Sequence, residues 1–166
     1  MLEECDGLIL LVRHADAGDR SNHVGVDALR PLSEKGRWQA EEIAKSLVQF
    51  RPTKIVTSRA VRCYSTVAPL ASACSLEIEE RAELFEGGDP KIALDQLLHL
   101  VTLRDEVVVA CSHGDVIPWI VSLVDESGAA HGVIPKIKKG SVTALSLVGG
   151  EIIKMDFISR PKMIGG

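Results

Sequence analysis

The run Leu8-Ile9-Leu10-Leu11-Val12-Arg13-His14 decides how this chain is read. Five consecutive apolar residues without polar alternation describe a strand buried on both faces, the habit of parallel sheets covered by helices. A second run, Val107-Val108-Val109-Ala110-Cys111-Ser112-His113, ends in the same way. The carboxyl ends of strands in a mostly parallel sheet open onto the crevice where ligands bind, so both imidazoles are expected at one site. Arg13 stands beside the first of them, and Ser58-Arg59-Ala60-Val61-Arg62 follows a third apolar stretch, Lys54-Ile55-Val56-Thr57. Arginine forks gathered at strand ends suit an anion, above all a phosphate.

Working outward, residues 15 to 32 read as a polar loop punctuated by Gly18, Asp19, Asn22 and Gly25, long enough to line a pocket. Ser33 is the expected N-cap of a helix whose apolar face carries Trp38, Ile43, Leu47 and Phe50 before Pro52 stops it. Residues 60 to 73 resemble a second helix, made irregular late by Pro69. Leu76-Glu77-Ile78 is expected as an edge strand, Pro90 to Leu103 as a third helix, and a fourth is expected from about Asp115 with Pro118 in its first turn. Val142 to Val148, Gly149-Gly150 and Glu151 to Met155 form a hairpin signal. Strands and helices alternate up to that hairpin. The expected fold is therefore a three-layer α/β/α domain with a mostly parallel central sheet and a C-terminal hairpin, formed by residues 1–159, with 160–166 as a flexible tail.

Composition bounds the function. The chain has 166 residues of which 46% are hydrophobic, enough for one substantial core, and only 4% are aromatic, so that core is aliphatic. A formal charge of -4 argues against a nucleic-acid polymer as partner, so an anion site must be a local basic pocket. Cys5, Cys63, Cys74 and Cys111 lack C-x-x-C spacing and read as reduced thiols. The start of the sequence has no basic stretch before its short apolar run, and no segment approaches a membrane span, so a cytoplasmic protein without membrane contact is expected. His23, His99 and His131 share neither histidine context and read as structural or exposed; with no H-E-x-x-H pattern, neither metal nor cofactor is expected. Oligomeric state stays open.

Leu11-Val12-Arg13-His14-Ala15-Asp16-Ala17 resembles the signature of the histidine phosphatase superfamily, which includes phosphoglycerate mutases and short SixA-type phosphohistidine phosphatases. The resemblance continues through Leu32-Ser33-Glu34-Lys35-Gly36-Arg37-Trp38-Gln39-Ala40, then Thr57 to Thr66, then Ser112-His113-Gly114-Asp115, and covers the compact chain. It implies a phosphoglycerate mutase-like fold and a phosphatase in which His14 is the nucleophile and carries a phosphohistidine intermediate. It implies that Arg13, Arg62 and His113 complete the phosphate pocket, with Arg62 rather than Arg59 in the family position and Arg59 as an accessory. Glu83, in Arg81-Ala82-Glu83-Leu84-Phe85-Glu86, resembles the position of the family's general acid, with Glu80, Glu86 and Asp115 as competitors. Asp115 also reads as a helix N-cap.

About 40 residues separate His14 from the second strand, too few for the additional segments that close larger mutases. The short format points to SixA-type proteins. Ser112-His113-Gly114-Asp115 nevertheless departs from the Gly-His-Asn-Pro pattern of many of them and looks more like the phosphatase-like domain found beside nucleotide-cleaning hydrolases, although no hydrolase domain accompanies it in this sequence. The expected partner is thus a phosphorylated small molecule, such as a nucleotide, or a phosphohistidine protein. A noncatalytic phosphate-binding regulatory module is the alternative, and an interaction domain using Trp38, Phe85 and Trp119 is a remoter one.

Overall fold

In the computed structural model, which describes residues 5–129 and 132–163, six strands form one sheet. They are β1 (Gly7–Arg13), β2 (Lys54–Thr57), β3 (Ile78–Glu80), β4 (Glu106–Ser112), β5 (Val142–Val148) and β6 (Glu151–Ile158), in spatial order β3-β2-β4-β1-β5-β6. The first four are mutually parallel, while β5 runs antiparallel to β1 and pairs with β6 as a hairpin. Gly149 and Gly150 both take positive φ, as the tight turn of such a hairpin requires.

Four helices cover the sheet: α1 (Glu34–Leu47), α2 (Val61–Cys74), α3 (Pro90–Leu100) and α4 (Ile117–Glu126). Strand alternation sorts β1 between the layers. Leu8, Leu10 and Val12 pack with Ile43 and Leu47 of α1 and Val67 and Leu70 of α2, whereas Ile9 and Leu11 pack with Leu97 of α3 and Ile120 and Val124 of α4. Each such side chain, fully buried, contributes about 1.5–3 kcal/mol. The three-layer α/β/α expectation is met.

Several boundaries differ from the sequence reading, each for a local reason. Helix α2 continues through Pro69 to Cys74; Ser65, whose carbonyl loses its usual donor, and Pro69 both lie on the half-exposed flank, where water can replace the missing amide. Ser75 then turns left-handed (φ 54) and Leu76 donates back to Ala71, which delays the edge strand to Ile78. Helix α3 stops at Leu100 rather than Leu103 because the Glu106 carboxylate accepts the amides of Thr102 and Leu103 in a loop. Trp38 is only half-buried, and Gln39 and Ala40 take the inward position at that turn. In the expected tail, Arg160 lies against Gly140, and residues 164–166 fall outside the described residues, as does His131.

Candidate active site

The register of three adjacent parallel strands assembles the site. Arg13 of β1 is opposite Ser112 of β4, and Thr57 of β2 is opposite Cys111, so His14, His113 and Ser58 emerge side by side at the carboxyl edge. The two imidazole centroids are 5.5 Å apart with their planes at 65°. Both rings are buried.

His14 is held at its backbone amide, its carbonyl and one ring nitrogen. Its amide donates to Ser112 O at 3.0 Å, its carbonyl accepts from Gly140 at 3.1 Å, and its ring Nδ1 meets Ala15 O at 2.8 Å. A carbonyl only accepts, so Nδ1 carries the proton and Nε2 keeps its lone pair. Burial pushes the His14 pKa down to about 3, opposed by the Ala15 hydrogen bond and reinforced by the charges around Arg62 and Arg13. The ring is therefore neutral at pH 7.

Arg62 enters from the first turn of α2 and is almost wholly buried, 1% exposed. It donates to Asp27 O at 3.0 Å, pairs with Asp27 Oδ2 at 3.2 Å and Glu86 Oε2 at 3.3 Å, and lies 3.4 Å from His113 Nδ1. The Nε of Arg62 and that of Arg13 are both buried without a hydrogen-bond partner. Two orphaned guanidinium donors beside two histidines are costly unless an anion completes them. Arg13 is anchored through Nη1 to Ile137 O at 2.7 Å and lies flat on Gly114, where an added Cβ would be 2.6 Å from the guanidinium carbon. The departure at Gly114 thus has a physical reason.

The four expected pocket residues are brought together. Arg59 is exposed and stacks over Phe85, 4.3 Å from the ring centroid, while Phe85 meets His113 edge-on. The Glu83 carboxylate pairs with Arg81 at 2.8 Å, while the carboxylates that reach Arg62 are those of Asp27 and Glu86. Burial favours protonation of Glu86, but its bond to Arg20 and the charges of Arg20 and Arg62 win and hold it below the usual carboxylate range. Asp115 does not cap α4, whose N-cap is Val116 without a side-chain bond; its Oδ2 accepts from the Gly87 amide at 2.7 Å.

Other residues act on the site without having been singled out in the sequence. Ser58 Oγ lies 2.8 Å from His113 Nε2, and Cys63 Sγ lies 3.5 Å from the same nitrogen. Thr66 accepts from the Ala15 amide and donates to Arg62 O, tying β1 to α2. Asp16 is gripped by Ser33, while its amide donates to Gln39 and its backbone leaves no room for a Cβ on Gly36. The motif around Ser33 and Gly36 is therefore a clamp on the loop that follows His14. Thr66 falls one helical turn after Arg62, a signal available in the sequence; Asp27 comes from a distant loop and carries none, and Glu86, read as a candidate acid, carries no sign of its contact with Arg62.

Residues 9–89 match the model of the histidine phosphatase superfamily (branch 1). The chain is 35% identical over 156 residues to an 8-oxo-(d)GTP phosphatase of Mycolicibacterium smegmatis, covering 92% of this chain and 48% of that protein. It thus spans about half the length of that relative. Its fold is similar to SixA of Agrobacterium tumefaciens (TM-score 0.75, 22% identity, 92% and 97% of the two chains) and to a mycobacterial glucosyl-3-phosphoglycerate phosphatase complexed with VO3 (TM-score 0.69, 19% identity, 93% and 99%). Together the matched motifs and the two-histidine site make this chain a member of the histidine phosphatase superfamily. Within it, the short format has the fold of SixA proteins.

Proposed function

We propose that the protein hydrolyses a phosphate monoester through a covalent intermediate on His14. Nε2 attacks phosphorus as the bond to the leaving oxygen breaks, and that oxygen takes a proton from a carboxyl group. Water then attacks the phosphorus, its proton passes to a base, and the P–N electron pair returns to Nε2, releasing inorganic phosphate. Arg13, Arg62 and His113 hold the nonbridging oxygens as charge redistributes on them. Glu83 is the proton donor by family position, and Glu86 is its competitor because it already contacts Arg62.

One observation carries this reading: a buried, neutral imidazole has its tautomer set for Nε2 attack, beside two arginines with unpaired buried donors. The 35% identical relative favours a nucleotide as substrate; the SixA likeness supports the fold. Free, buried Cys63 and Cys111 fit a reducing compartment such as the cytoplasm. Among the described residues no helix is long and apolar enough to cross a membrane.

Quenching turnover of labelled substrate should trap an acid-labile phosphate on His14, and His14→Ala should lose both this label and at least about 1,000-fold in turnover. Robust turnover with unchanged labelling in a folded His14→Ala protein would falsify the mechanism and leave a noncatalytic or differently catalysed phosphate site.

A further inference from the structure

Beyond the phosphate pocket lies a groove of about 680 Å³, lined among others by Gly87, Asp89, Lys91, Asp115, Trp119 and Glu126. That size falls within the range of small-molecule sites, about 300–1,000 Å³. It borders the catalytic segments through Asp115, whose charge acts on Arg13. Gly87 follows Glu86, which contacts Arg62, and Asp115 stands two residues after His113; the Gly87–Asp115 hydrogen bond of 2.7 Å welds these two segments at the groove's end.

Trp119 and Glu126 continue the Asp115 side at helical spacing along the outer face of α4, opposite the segment of Asp89 and Lys91 that opens α3. Trp119 is 63% exposed. An indole left in water beside a catalytic mouth is a stacking platform for a planar ring. Three carboxylates, from Asp89, Asp115 and Glu126, face one ammonium, from Lys91, so the groove repels a second anionic group and accepts hydrogen-bond donors. The phosphate pocket has the opposite polarity, with Arg13 and Arg62 supplying unpaired donors.

We infer that this groove holds the leaving group of the substrate, and that the group is a nucleoside: an uncharged planar base stacked on Trp119, its sugar bridging to the phosphate at His14. The inference rests on the phosphatase reading of the His14 site and adds the groove, with Trp119 as its platform, that would recognise the alcohol released. A phosphorylated sugar acid would bring an anion to the carboxylates, and a simple acyl phosphate would leave Trp119 in water.

The test compares Trp119→Ala, Trp119→Phe and the wild type on guanosine 5′-monophosphate and on acetyl phosphate, which has no ring. Trp119→Ala should lower the ratio of kcat/KM for the nucleotide to that for acetyl phosphate by about 5- to 100-fold, mostly through KM, and Trp119→Phe should restore much of it. Guanosine added to a His14→Ala protein should quench tryptophan fluorescence, and the Trp119→Phe substitution in that background should remove the quench. An unchanged ratio in Trp119→Ala, or hydrolysis of acetyl phosphate but not of the nucleotide by the wild type, overturns the nucleoside groove while sparing the phosphatase. Failure of the wild type on both substrates, together with guanosine quenching in His14→Ala, overturns the phosphatase reading and leaves the groove as a nucleoside-binding site.

Discussion

A ring nitrogen attacks phosphorus only while it keeps its lone pair, and His14 keeps one for two separate reasons. The Ala15 carbonyl fixes which nitrogen is free, and burial holds the pKa at about 3. The acid limb of kcat/KM, which reports the free enzyme, should therefore show no break from the nucleophile near pH 6.5 once the substrate's own second ionisation is allowed for. A nucleophile titrating near 6.5 in that profile would contradict the burial of its charge. The proton donor is decided by a leaving-group series. Glu83→Gln should slow poor leaving groups by about 100-fold more than an activated aryl phosphate if Glu83 donates the proton. If Glu86→Gln or Asp115→Asn shows that dependence instead, the donor moves accordingly. Glu86 starts ionised, held so chiefly by Arg20, and a bound phosphate that takes over Arg62 would remove the lesser of these two supports.

At the scale of elements, the two apolar runs were legible because a strand buried on both faces has no polar alternation to confuse the reading. Their adjacency was not legible in the runs themselves: β4 inserts between β1 and β2, and only that order puts His113 beside His14. Pairs formed between loops were hidden for the same reason. Asp27 meets Arg62 across 35 positions of sequence, and Asp115 meets Gly87 across 28, so no local pattern exposes either. Ser33 was readable as a cap since its partner, Gly36, is three residues away. The β4–α4 junction offers a sharp test. Gly114→Ala places a methyl 2.6 Å from the Arg13 guanidinium, which is pinned by Ile137 and has little freedom to retreat. The variant should fold, bind phosphate more weakly and lose about 10- to 100-fold in kcat/KM, a loss comparable to misplacing one transition-state donor. Wild-type kinetics in Gly114→Ala would show that Arg13 needs no such seat.

Across the whole molecule, the site draws against the stability of the fold, and pH exposes how much. His14 has a native pKa of about 3 against about 6.5 in an unfolded chain, so between those values the unfolded state binds a proton that the native state refuses. Above pH 6.5 both states are neutral there and the site costs nothing through this group. As pH falls below 6.5, stability should decline by up to about 1.4 kcal/mol per pH unit from His14 alone, levelling off below pH 3. Asp27 and Glu86, whose native pKa values are lowered, contribute stability that is present above their unfolded values and is lost as pH falls through the native ones. Their decline begins near pH 4.5, so the interval from 5 to 6.5 separates the histidine from these carboxylates. Urea midpoints in a phosphate-free buffer should fall across that interval for the wild type and fall less for His14→Gln, which keeps a polar side chain but cannot take up a proton. Equal slopes for the two proteins would mean that the buried imidazole is not the group resisting protonation. Added inorganic phosphate should raise the midpoint at neutral pH, since it binds the native state through donors otherwise buried and unpaired at Arg13 and Arg62.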